Sequence, residues 1–289
     1  PSHVAVVFDA SGPTLRHDLY DEYKATREKM PDELREQLPW MKRIVEAMGL
    51  VLIEESGFEA DDLIGTLARR GSAADYDVRI VSGDKDFMQL VDDRVLLYNI
   101  TKGDGAPVLQ GAEAVREKFG VAPDRVIDVL ALMGDSSDNV PGVSGVGPKT
   151  ATTLVLEHGG VEEILEAAPT LKRKKLRETL EAERDIALLS KRLVTIDVDV
   201  ASAPALEQLV SGEARREELE AIFRELEFGR LAERFAGPEA PGIETREYRV
   251  VASAAELEEA IATLEGAEEI AFDLETTGLD VLEADIVGF

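Results

Sequence analysis

Residues 50–63 read Leu-Val-Leu-Ile-Glu-Glu-Ser-Gly-Phe-Glu-Ala-Asp-Asp-Leu and contain a step from strand to helix. The apolar run at 50–53 has the length of a short buried strand. Gly57 indicates a turn after this strand, and from Glu59 to residue 70 apolar residues recur at helical spacing. Acids in the first turn are typical of a helix start, because they complement the exposed N–H groups there. The stretch therefore predicts a β-strand that leads through a turn into an α-helix.

The same alternation of short apolar runs and longer amphipathic runs continues on both sides of this stretch. We predict further strands at 4–8, 77–82 and 94–98 and further helices at 32–48 and 85–91. Alternating strands and helices form a largely parallel sheet with helices on both faces, so the sequence predicts an α/β fold. After residue 110 the pattern changes: 111–190 is helical with a glycine-rich break at 142–147, 192–200 is expected to be extended, and 213–235 is helical again.

Pro and Gly alternate at 237–242, where apolar periodicity disappears, as is typical of a linker. Beyond it we predict a strand at 248–251, a helix at 254–264 and a strand at 270–272. The expected organisation is therefore an α/β core at 1–110, a helical part at 111–236, a linker at 237–245 and the start of a second α/β unit at 246–289.

Composition limits the function classes. The chain has no cysteine, which excludes disulfides and thiolate metal sites within it. It has neither a leader-like segment nor an apolar run long enough to span a membrane. A strand that starts almost at residue 1 and an apolar run that stops at Phe289 make us expect a fragment. The 32 basic and 59 acidic residues give a net charge of −27, which disfavours a polyanionic partner unless the basic residues cluster.

Closely spaced acids follow four of the apolar runs. Each group alone has an ordinary explanation, since Asp at a strand end is often a helix N-cap. Together they are more informative, because the carboxyl ends of parallel strands converge on one edge of the sheet. Such a group needs cations, and oxygen ligands without His or Cys select Mg²⁺ or Mn²⁺. We predict a two-ion site for phosphodiester hydrolysis built from Asp9, Glu59, Asp61, Asp62, Asp84, Asp86, Asp135 and Asp138.

Glycines and basic residues predict contacts with nucleic acid. In Gly142-Val-Ser-Gly145-Val-Gly147-Pro-Lys149-Thr150 the glycines expose backbone N–H groups at a helix start, an arrangement that binds phosphate. A plain glycine-rich turn is the alternative. The densest basic run is Lys172, Arg173, Lys174 and Lys175, for which a solvated helix face is the alternative. A second basic stretch, interleaved with aromatic residues, contains Arg16, Lys24 and Arg27 and would suit a phosphate end and a nucleobase.

Six of these motifs, in this order, resemble the 5′ nuclease domain of bacterial DNA polymerase I, which belongs to the flap endonuclease superfamily. They are residues 6–10, 16–17, 23–24, 57–62, 82–86 and 134–143 with the hairpin that follows. The resemblance implies a PIN-like α/β core with a helical arch, and a helix-hairpin-helix subdomain. It also implies removal of 5′ flaps, RNA primers or terminal nucleotides from DNA, by a monomeric bacterial protein of the cytoplasm and nucleoid.

By that resemblance, Asp9, Glu59 and Asp61 would hold one ion, and Asp84, Asp86, Asp135 and Asp138 the other, with Asp62 in support. Arg16, Lys24 and Arg27 would act as catalytic residues in the arch. The hairpin would grip duplex DNA through Gly142, Gly145, Gly147, Lys149 and Thr150, with K⁺ as a possible second cofactor. The run Ile270-Ala-Phe-Asp273-Leu-Glu275-Thr-Thr-Gly resembles the first motif of a 3′-5′ exonuclease domain with a ribonuclease H-like fold, in which Asp273 and Glu275 share a metal.

One departure from the family bears on activity. The family begins with a strand that carries a further aspartate ligand, and nothing in this sequence corresponds to it. We therefore expect slower flap cleavage than in the same protein with that strand, and a catalytically impaired, structure-specific DNA-binding module is the alternative function. A stand-alone 5′ nuclease and a PIN-like ribonuclease are less favoured, because the first does not need residues 244–289 and the second lacks the hairpin.

Overall fold

The computed structural model describes residues 1–100, 108–236, 251–265, 273, 275–278 and 285–288. The chain divides into two compact units, Pro1–Gly237 and Pro238–Phe289. The strands described in the first unit are β1 (Ala5–Val7), β2 (Val51–Ile53), β3 (Val78–Val81), β4 (Val95–Asn99) and β5 (Val108–Gln110). Its described α-helices are α1 (Leu15–Leu19), α2 (Asp32–Arg35), α3 (Leu38–Ala47), α4 (Ala60–Ala73), α5 (Ala112–Phe119), α6 (Val126–Met133), α7 (Pro148–His158), α8 (Val161–Ala167), α9 (Lys174–Ala182), α10 (Arg184–Val194), α11 (Arg216–Glu225) and α12 (Gly229–Phe235).

The strands form two hydrogen-bonded groups. In one group β1 runs parallel to β2, with Ala5 opposite Val51. In the other, β3 runs parallel to β4 and β5 is antiparallel to β4. Within the described residues no backbone pairing joins the two groups, so the expected single parallel sheet is present as two pieces. These separate edges are compatible with the additional strand that the family resemblance implies, which stays a prediction.

Helix α4 lies between two hydrophobic cores. Leu63 and Leu67 pack with Ile53 of β2 in the smaller core, whereas Ala68 belongs to the larger core with β3, β4 and the helices after residue 110. Leu63 is 1% exposed, and burying a side chain of this size stabilises a fold by roughly 1.5–3 kcal/mol. Packing on both sides therefore fixes the position of α4 and of the acidic turn at its amino end.

Three sequence-based expectations differ from the structure. The helix predicted at 32–48 is divided into α2 and α3, because Pro39 is tolerated only in the first turn of a helix and so marks the start of α3. The helix predicted at 85–91 is a 3-10 helix, Asp86–Leu90. The segment expected to be extended at 192–200 begins inside α10, and its remaining residues form no strand pairs among those described.

A closed loop follows α6 and carries two of the predicted acids. Asp135 and Val140 exchange backbone hydrogen bonds of 3.0 and 2.8 Å, which close the loop. Gly134 and Gly142 flank it with φ values of 75° and 62°. A Cβ atom on Gly142 would lie 2.3 Å from the backbone nitrogen of Gly134, so only glycine allows this approach.

The second unit contains α13 (Ala254–Leu264), which confirms the predicted helix. Ser253 caps it by accepting a hydrogen bond from the Glu256 N–H. Two short strands, β6 (Glu275–Thr276) and β7 (Ile286–Gly288), pair in antiparallel orientation. The linker at 237–245 and the strand predicted at 270–272 lie outside the described residues, as does the strand predicted at 248–251 except for Val251. Among the described residues no helix is both long and apolar enough to cross a membrane.

Gly142 and Gly145 provide a matched test of the close approach between Gly142 and Gly134. Both have positive φ, but only Gly142 lacks room for a Cβ atom, since nothing lies within 4 Å of the position at Gly145. We expect Gly145→Ala to lower the free energy of unfolding by about 1 kcal/mol from backbone strain alone. Gly142→Ala should cost roughly 3 kcal/mol or more, because backbone must move. Urea denaturation measures both, and equal losses would contradict the close approach.

Candidate active site

The amino end of α4 presents three acids within one turn. Glu59 is the N-cap residue, and its backbone N–H donates to Asp62 Oδ2 at 3.2 Å, as in a capping box. Glu59 and Asp62 are both buried, with exposures of 5% and 2%. Asp61 lies between them and is half-buried. The two cores around α4 therefore hold this acidic turn in a low-dielectric environment.

Arg16 and Asp62 form a buried bidentate ion pair. Nη1 and Nη2 of Arg16 donate to the two carboxylate oxygens of Asp62, each at 2.7 Å. Arg16 also donates to the backbone oxygens of Leu193 and Thr195, at 2.9 and 2.8 Å. Burial acts to raise the pKa of Asp62, but the hydrogen bonds and charge of Arg16 outweigh it and the pKa is lowered. The structure thus uses both side chains internally, while the substrate contact predicted for Arg16 and the supporting metal role predicted for Asp62 stay predictions.

Five of the predicted acids line one pocket. Arg16, Tyr23 and side chains of α10 and the residues after it complete its walls. The sequence-based expectation that these acids come together thus agrees with the geometry. The acidic residues that line the pocket are Glu59, Asp61, Asp86, Asp135 and Asp138.

Besides Asp62, two predicted acids, Asp9 and Asp84, lie outside the pocket lining. Asp9 is exposed, and its Oδ1 accepts a 2.8 Å hydrogen bond from the Ala60 N–H, at the first residue of α4. Asp84 is also exposed, and its Oδ1 accepts from the Asp86 N–H at 2.9 Å. Both carboxylates act electrostatically on Asp61, so they belong to the same cluster.

Besides Arg16, whose Nη1 lies 3.5 Å from Glu59 Oε2, three basic side chains form ion pairs with pocket acids. Lys24 Nζ lies 2.7 Å from Glu59 Oε1 and 3.7 Å from Asp138 Oδ2. Arg27 forms a hydrogen-bonded ion pair with Asp138. Lys85 pairs with Asp135 and lies 3.4 Å from Asp86. Lys85 was missed as a functional residue in the sequence, although its place between Asp84 and Asp86 was a signal for it.

Two carboxylates keep strongly perturbed pKa values despite these cations. Burial raises the pKa of Asp61 from 3.8 to about 7, with further contributions from the nearby charges of Asp84, Glu59 and Asp9. Burial likewise raises the pKa of Asp86 to about 6, against the opposing charge of Lys85. A carboxylate with these shifts is poorly compensated, and an additional cation would stabilise its ionised form.

The donor chemistry fits hard divalent cations. All the candidate ligands are carboxylate oxygens, and the buried Oδ1 of Asp86 has no hydrogen-bond partner among the described residues. Four of the five pocket carboxylates are nevertheless already paired with lysine or arginine. Within the described residues, no three acidic or imidazole side chains are grouped closely enough to surround a metal ion. An incoming ion would therefore compete with the built-in cations for the same oxygens.

The basic stretch near the amino end differs from the expected helical arch. Its residues 21–26 form turns, and the backbone there bonds across to another segment. Lys24 N–H donates to the Asp138 backbone oxygen at 2.9 Å, and Lys24 has a φ of 57°, which a helix does not allow. Tyr23 is 3% exposed, and its hydroxyl donates to Glu59 and Asp138, so it is placed to orient acids rather than to stack on a base.

The predicted phosphate-binding hairpin has an open side and a buried side. Gly145, Gly147 and Lys149 are exposed, and their N–H groups have no hydrogen-bond partner among the described residues. Nothing lies within 4 Å of a Cβ position at Gly145 or Gly147, so a phosphate could approach there. Gly142 is instead buried, and its N–H donates to the Ser190 hydroxyl at 3.0 Å. This corrects the expectation for Gly142, which shapes the hairpin from inside and is not placed to touch DNA.

The remaining predicted residues have simpler surroundings. Thr150 is half-buried in the first turn of α7. The basic residues 172–175 are exposed at the start of α9, where Lys174 makes one ion pair with Glu178 at 3.7 Å. In the second unit Asp273 is exposed and Glu275 begins β6.

Comparison with known proteins agrees with this arrangement. Residues 1–120 match the model of the 5′-3′ exonuclease N-terminal resolvase-like domain, and residues 121–217 match that of the 5′-3′ exonuclease C-terminal SAM fold. DNA polymerase I of Pseudomonas aeruginosa is 45% identical over 99% of this chain and 33% of its own length. DNA polymerase I of Streptococcus pneumoniae is 37% identical over the whole chain and 32% of its own length. The chain thus spans about a third of these curated relatives.

Solved structures share the fold at low sequence identity. A T5 5′-exonuclease with bound divalent metal ions (zinc) superposes with a TM-score of 0.58 at 21% identity, over 80% of this chain and 82% of that chain. The catalytic core of Rad2 in complex with a DNA substrate has a TM-score of 0.53 at 16% identity, over 81% of this chain and 79% of that one. The first unit therefore has a resolvase-like 5′ nuclease fold with a SAM-like helical part.

The pKa of Asp61 generates a prediction about stability. Because its pKa is raised in the folded protein, the folded state binds the proton more tightly than the unfolded chain, and ionisation removes stability as the pH rises from about 4 to about 7. Asp61→Asn stays neutral, so near pH 8 it should be more stable than the unmodified chain by on the order of 2 kcal/mol. The difference should disappear near pH 4 in denaturant titrations without divalent ions. A gain that is independent of pH would reject this explanation.

Proposed function

The chain belongs to the 5′-3′ exonuclease family, and we propose that its first unit is a divalent-metal-dependent nuclease that cuts at 5′ ends and flaps of DNA. The observation that carries the proposal is the pocket in which five acids converge at the amino end of α4. An exposed glycine-rich hairpin and a basic run in the same unit support DNA as the substrate. An acidic pocket joined to phosphate-binding surfaces suits hydrolysis of a phosphodiester.

The pocket acids would hold two ions of Mg²⁺ or Mn²⁺. Following the family resemblance, Asp9, Glu59 and Asp61 are the proposed ligands of one ion, and Asp84, Asp86, Asp135 and Asp138 are those of the other. When bound, such ions supply a more acidic water nucleophile and stabilise negative charge on the phosphate. The raised pKa values of Asp61 and Asp86 support this assignment, because ligand carboxylates must be ionised and here gain most from added positive charge.

The chain's own residues position the substrate. Lys24 and Arg27 bring positive charge to the edge of the pocket, where they hold Glu59 and Asp138 and lie ready to bind a phosphate. Tyr23 fixes the orientation of the same two acids. The open amides of Gly145, Gly147 and Lys149 would bind the duplex backbone.

Proofreading and DNA synthesis are proposed only because the longer relatives that this chain matches are DNA polymerases I. Residues 246–289 would begin a 3′-5′ exonuclease domain in which Asp273 and Glu275 share a metal. The support is the match of the P. aeruginosa DNA polymerase I over 99% of this chain, which includes part of this segment. Polymerisation would require residues that the relatives have outside the matched third.

A catalytically impaired DNA-binding module is the second candidate. Two observations favour it: lysine and arginine already pair with pocket carboxylates, and no three described acids are grouped closely enough to surround a metal ion. In that function the hairpin would bind DNA and the pocket would remain neutralised by protein cations. Cleavage in Mg²⁺ separates the two candidates.

The proposed nuclease is tested with an end-labelled 5′-flap substrate. The unmodified chain should cut it in Mg²⁺ and not in EDTA. Asp86→Asn removes a proposed ligand charge and should slow cleavage by about 10²-fold or more, in line with loss of several kcal/mol of transition-state stabilisation. Asp75→Asn is the matched control, since Asp75 is exposed, has a φ of 65° that Asn tolerates, and pairs only with Arg94 in the described residues.

Binding of Mg²⁺ gives a second measurement with the same variants. Mg²⁺ should raise the free energy of unfolding of the unmodified chain and of Asp75→Asn, because an ion that binds only the folded state stabilises it. Asp86→Asn should gain much less. Flap binding without cleavage, together with no stabilisation by Mg²⁺, would favour the DNA-binding module.

The hairpin is tested by adding a methyl group on its open side. Gly147 has a φ of −92° and open space at its Cβ position, so Gly147→Ala should fold normally. The methyl group would block close approach of a phosphate to the N–H groups and should weaken duplex affinity by about tenfold. Gly229→Ala, also exposed and open at the start of a helix, is the matched control and should bind normally. Equal affinities of all three proteins at physiological salt would reject the hairpin as a binding site.

A further inference from the structure

Helix α10 connects the hairpin to the acidic pocket. At its amino end, Glu183 accepts a 2.7 Å hydrogen bond from the Ser144 N–H of the hairpin. Near its middle, Ser190 is fully buried and accepts from the Gly142 N–H. At its carboxyl end, the backbone oxygens of Leu193 and Thr195 accept from Arg16. One short helix thus makes direct hydrogen bonds to both proposed functional surfaces.

The carboxyl end of α10 is fixed to the acidic turn from several directions. Arg16 joins it to Asp62, and the Asp197 N–H donates to Asp62 Oδ1 at 2.8 Å. The Thr66 hydroxyl of α4 donates to the Asp197 backbone oxygen at 3.3 Å. A Cβ atom on Gly65 would lie 2.6 Å from Ile196 Cγ2, so α4 and the segment after α10 pack without free space. This end cannot move relative to α4 while these contacts persist.

The sides of α10 are also held. Lys191 Nζ lies 3.0 Å from Asp128 Oδ1 of α6, and Asp128 is 3% exposed and accepts from the Val161 N–H at the start of α8. Ala187 is fully buried in the larger core. These contacts hold α10 against α6 and the larger core.

We propose that α10 is a spacer that sets the distance between the duplex-binding hairpin and the acidic pocket, and that Arg16 is the positioning residue at its far end. From Glu183 to Leu193 the helix advances about 15 Å, at about 1.5 Å per residue. Duplex DNA advances about 3.4 Å per base pair. A duplex gripped at the hairpin thus presents one particular phosphodiester to the pocket, and a shift of about two helical residues would select its neighbour. The inference rests on the proposed function and specifies how that site chooses where to cut.

The position of the cut distinguishes a spacer role of α10 from a purely chemical role of Arg16. If Arg16 only contacted the scissile phosphate, its replacement would slow cleavage and leave the position of the cut unchanged. If it locks the spacer, Arg16→Lys should spread the cuts over neighbouring phosphodiesters. Ser190→Ala, which removes the hydrogen bond between α10 and Gly142 of the hairpin and lies outside the pocket lining, should spread them in the same way.

A measurement that does not require cleavage by the chain itself tests the spacer role separately from the proposed nuclease function. The chain has no cysteine, and Ser56 is exposed three residues before Glu59. Ser56→Cys can therefore carry an iron chelate that cuts a bound duplex with hydroxyl radicals near the pocket. In the otherwise unmodified chain the cuts should centre on one position. With Arg16→Lys or Ser190→Ala added, the pattern should shift or widen by about one base pair or more.

The controls address folding and general effects of substitution. Arg192→Lys makes the same chemical change as Arg16→Lys on an exposed α10 residue whose side chain makes no hydrogen bond or ion pair among the described residues, and it should leave both patterns unchanged. Thermal unfolding identifies any variant that fails to fold, and if Arg16→Lys fails, Ser190→Ala gives the same comparison from the contact between α10 and the hairpin. Radical patterns identical to those of the unmodified chain in a folded variant would overturn the spacer role. Absence of Mg²⁺-dependent flap cleavage by the unmodified chain would overturn the nuclease proposal, whereas the radical patterns would still decide whether α10 fixes the two surfaces.

Discussion

Repulsion among the carboxylates around the amino end of α4 is the constraint to which the surrounding structure responds. Several acids face one another in a pocket of low dielectric, where ionised groups interact more strongly than in water. The fold supplies Arg16, Lys24 and Lys85 to the same pocket, each in contact with at least one acid. The compensation is incomplete, because Asp61 and Asp86 still have raised pKa values. The remaining deficit of positive charge is what supports the proposal that added cations bind in the pocket.

The net charge of −27 and the proposed DNA substrate are compatible because charge acts locally in salt solution. At physiological ionic strength the screening length is about 8 Å, so acids on distant helices contribute little at the hairpin. There, Lys149 and the open amides lie on an exposed surface, and residues 172–175 add further positive charge in the same unit. The pocket acids are offset by their own lysine and arginine partners. The distribution of charge therefore matters more than its sum.

Local features were predictable from the sequence, whereas long-range ones were not. Helix α13 was predicted with its observed bounds because apolar spacing is a local signal. The gathering of acids in one pocket was expected from the sequence, but the two acids that follow strands, Asp9 and Asp84, are not among the five that line it. The two-part sheet, the turns between Tyr20 and Met30, and the inward position of Gly142 depend on partners more than 40 residues away in sequence or on pairing that no local pattern encodes. The same is true of the Arg16–Asp62 pair, which joins residues separated by 46 positions.

Packing and electrostatics are coupled in this fold through α4. Leu63 and Leu67 on one side and Ala68 on the other hold the helix in place, and this burial offsets the cost of keeping Glu59 and Asp61 close together. A cation that relieves the repulsion must then also stabilise the fold, since binding to the folded state alone shifts the folding equilibrium. Lys24 and Lys85 already provide part of this stabilisation from within the chain. A bound ion would therefore stabilise the fold by the free energy of its own contacts with the carboxylates minus that of the lysine contacts it replaces. Weakening a lysine contact should then increase the stabilisation that the ion provides.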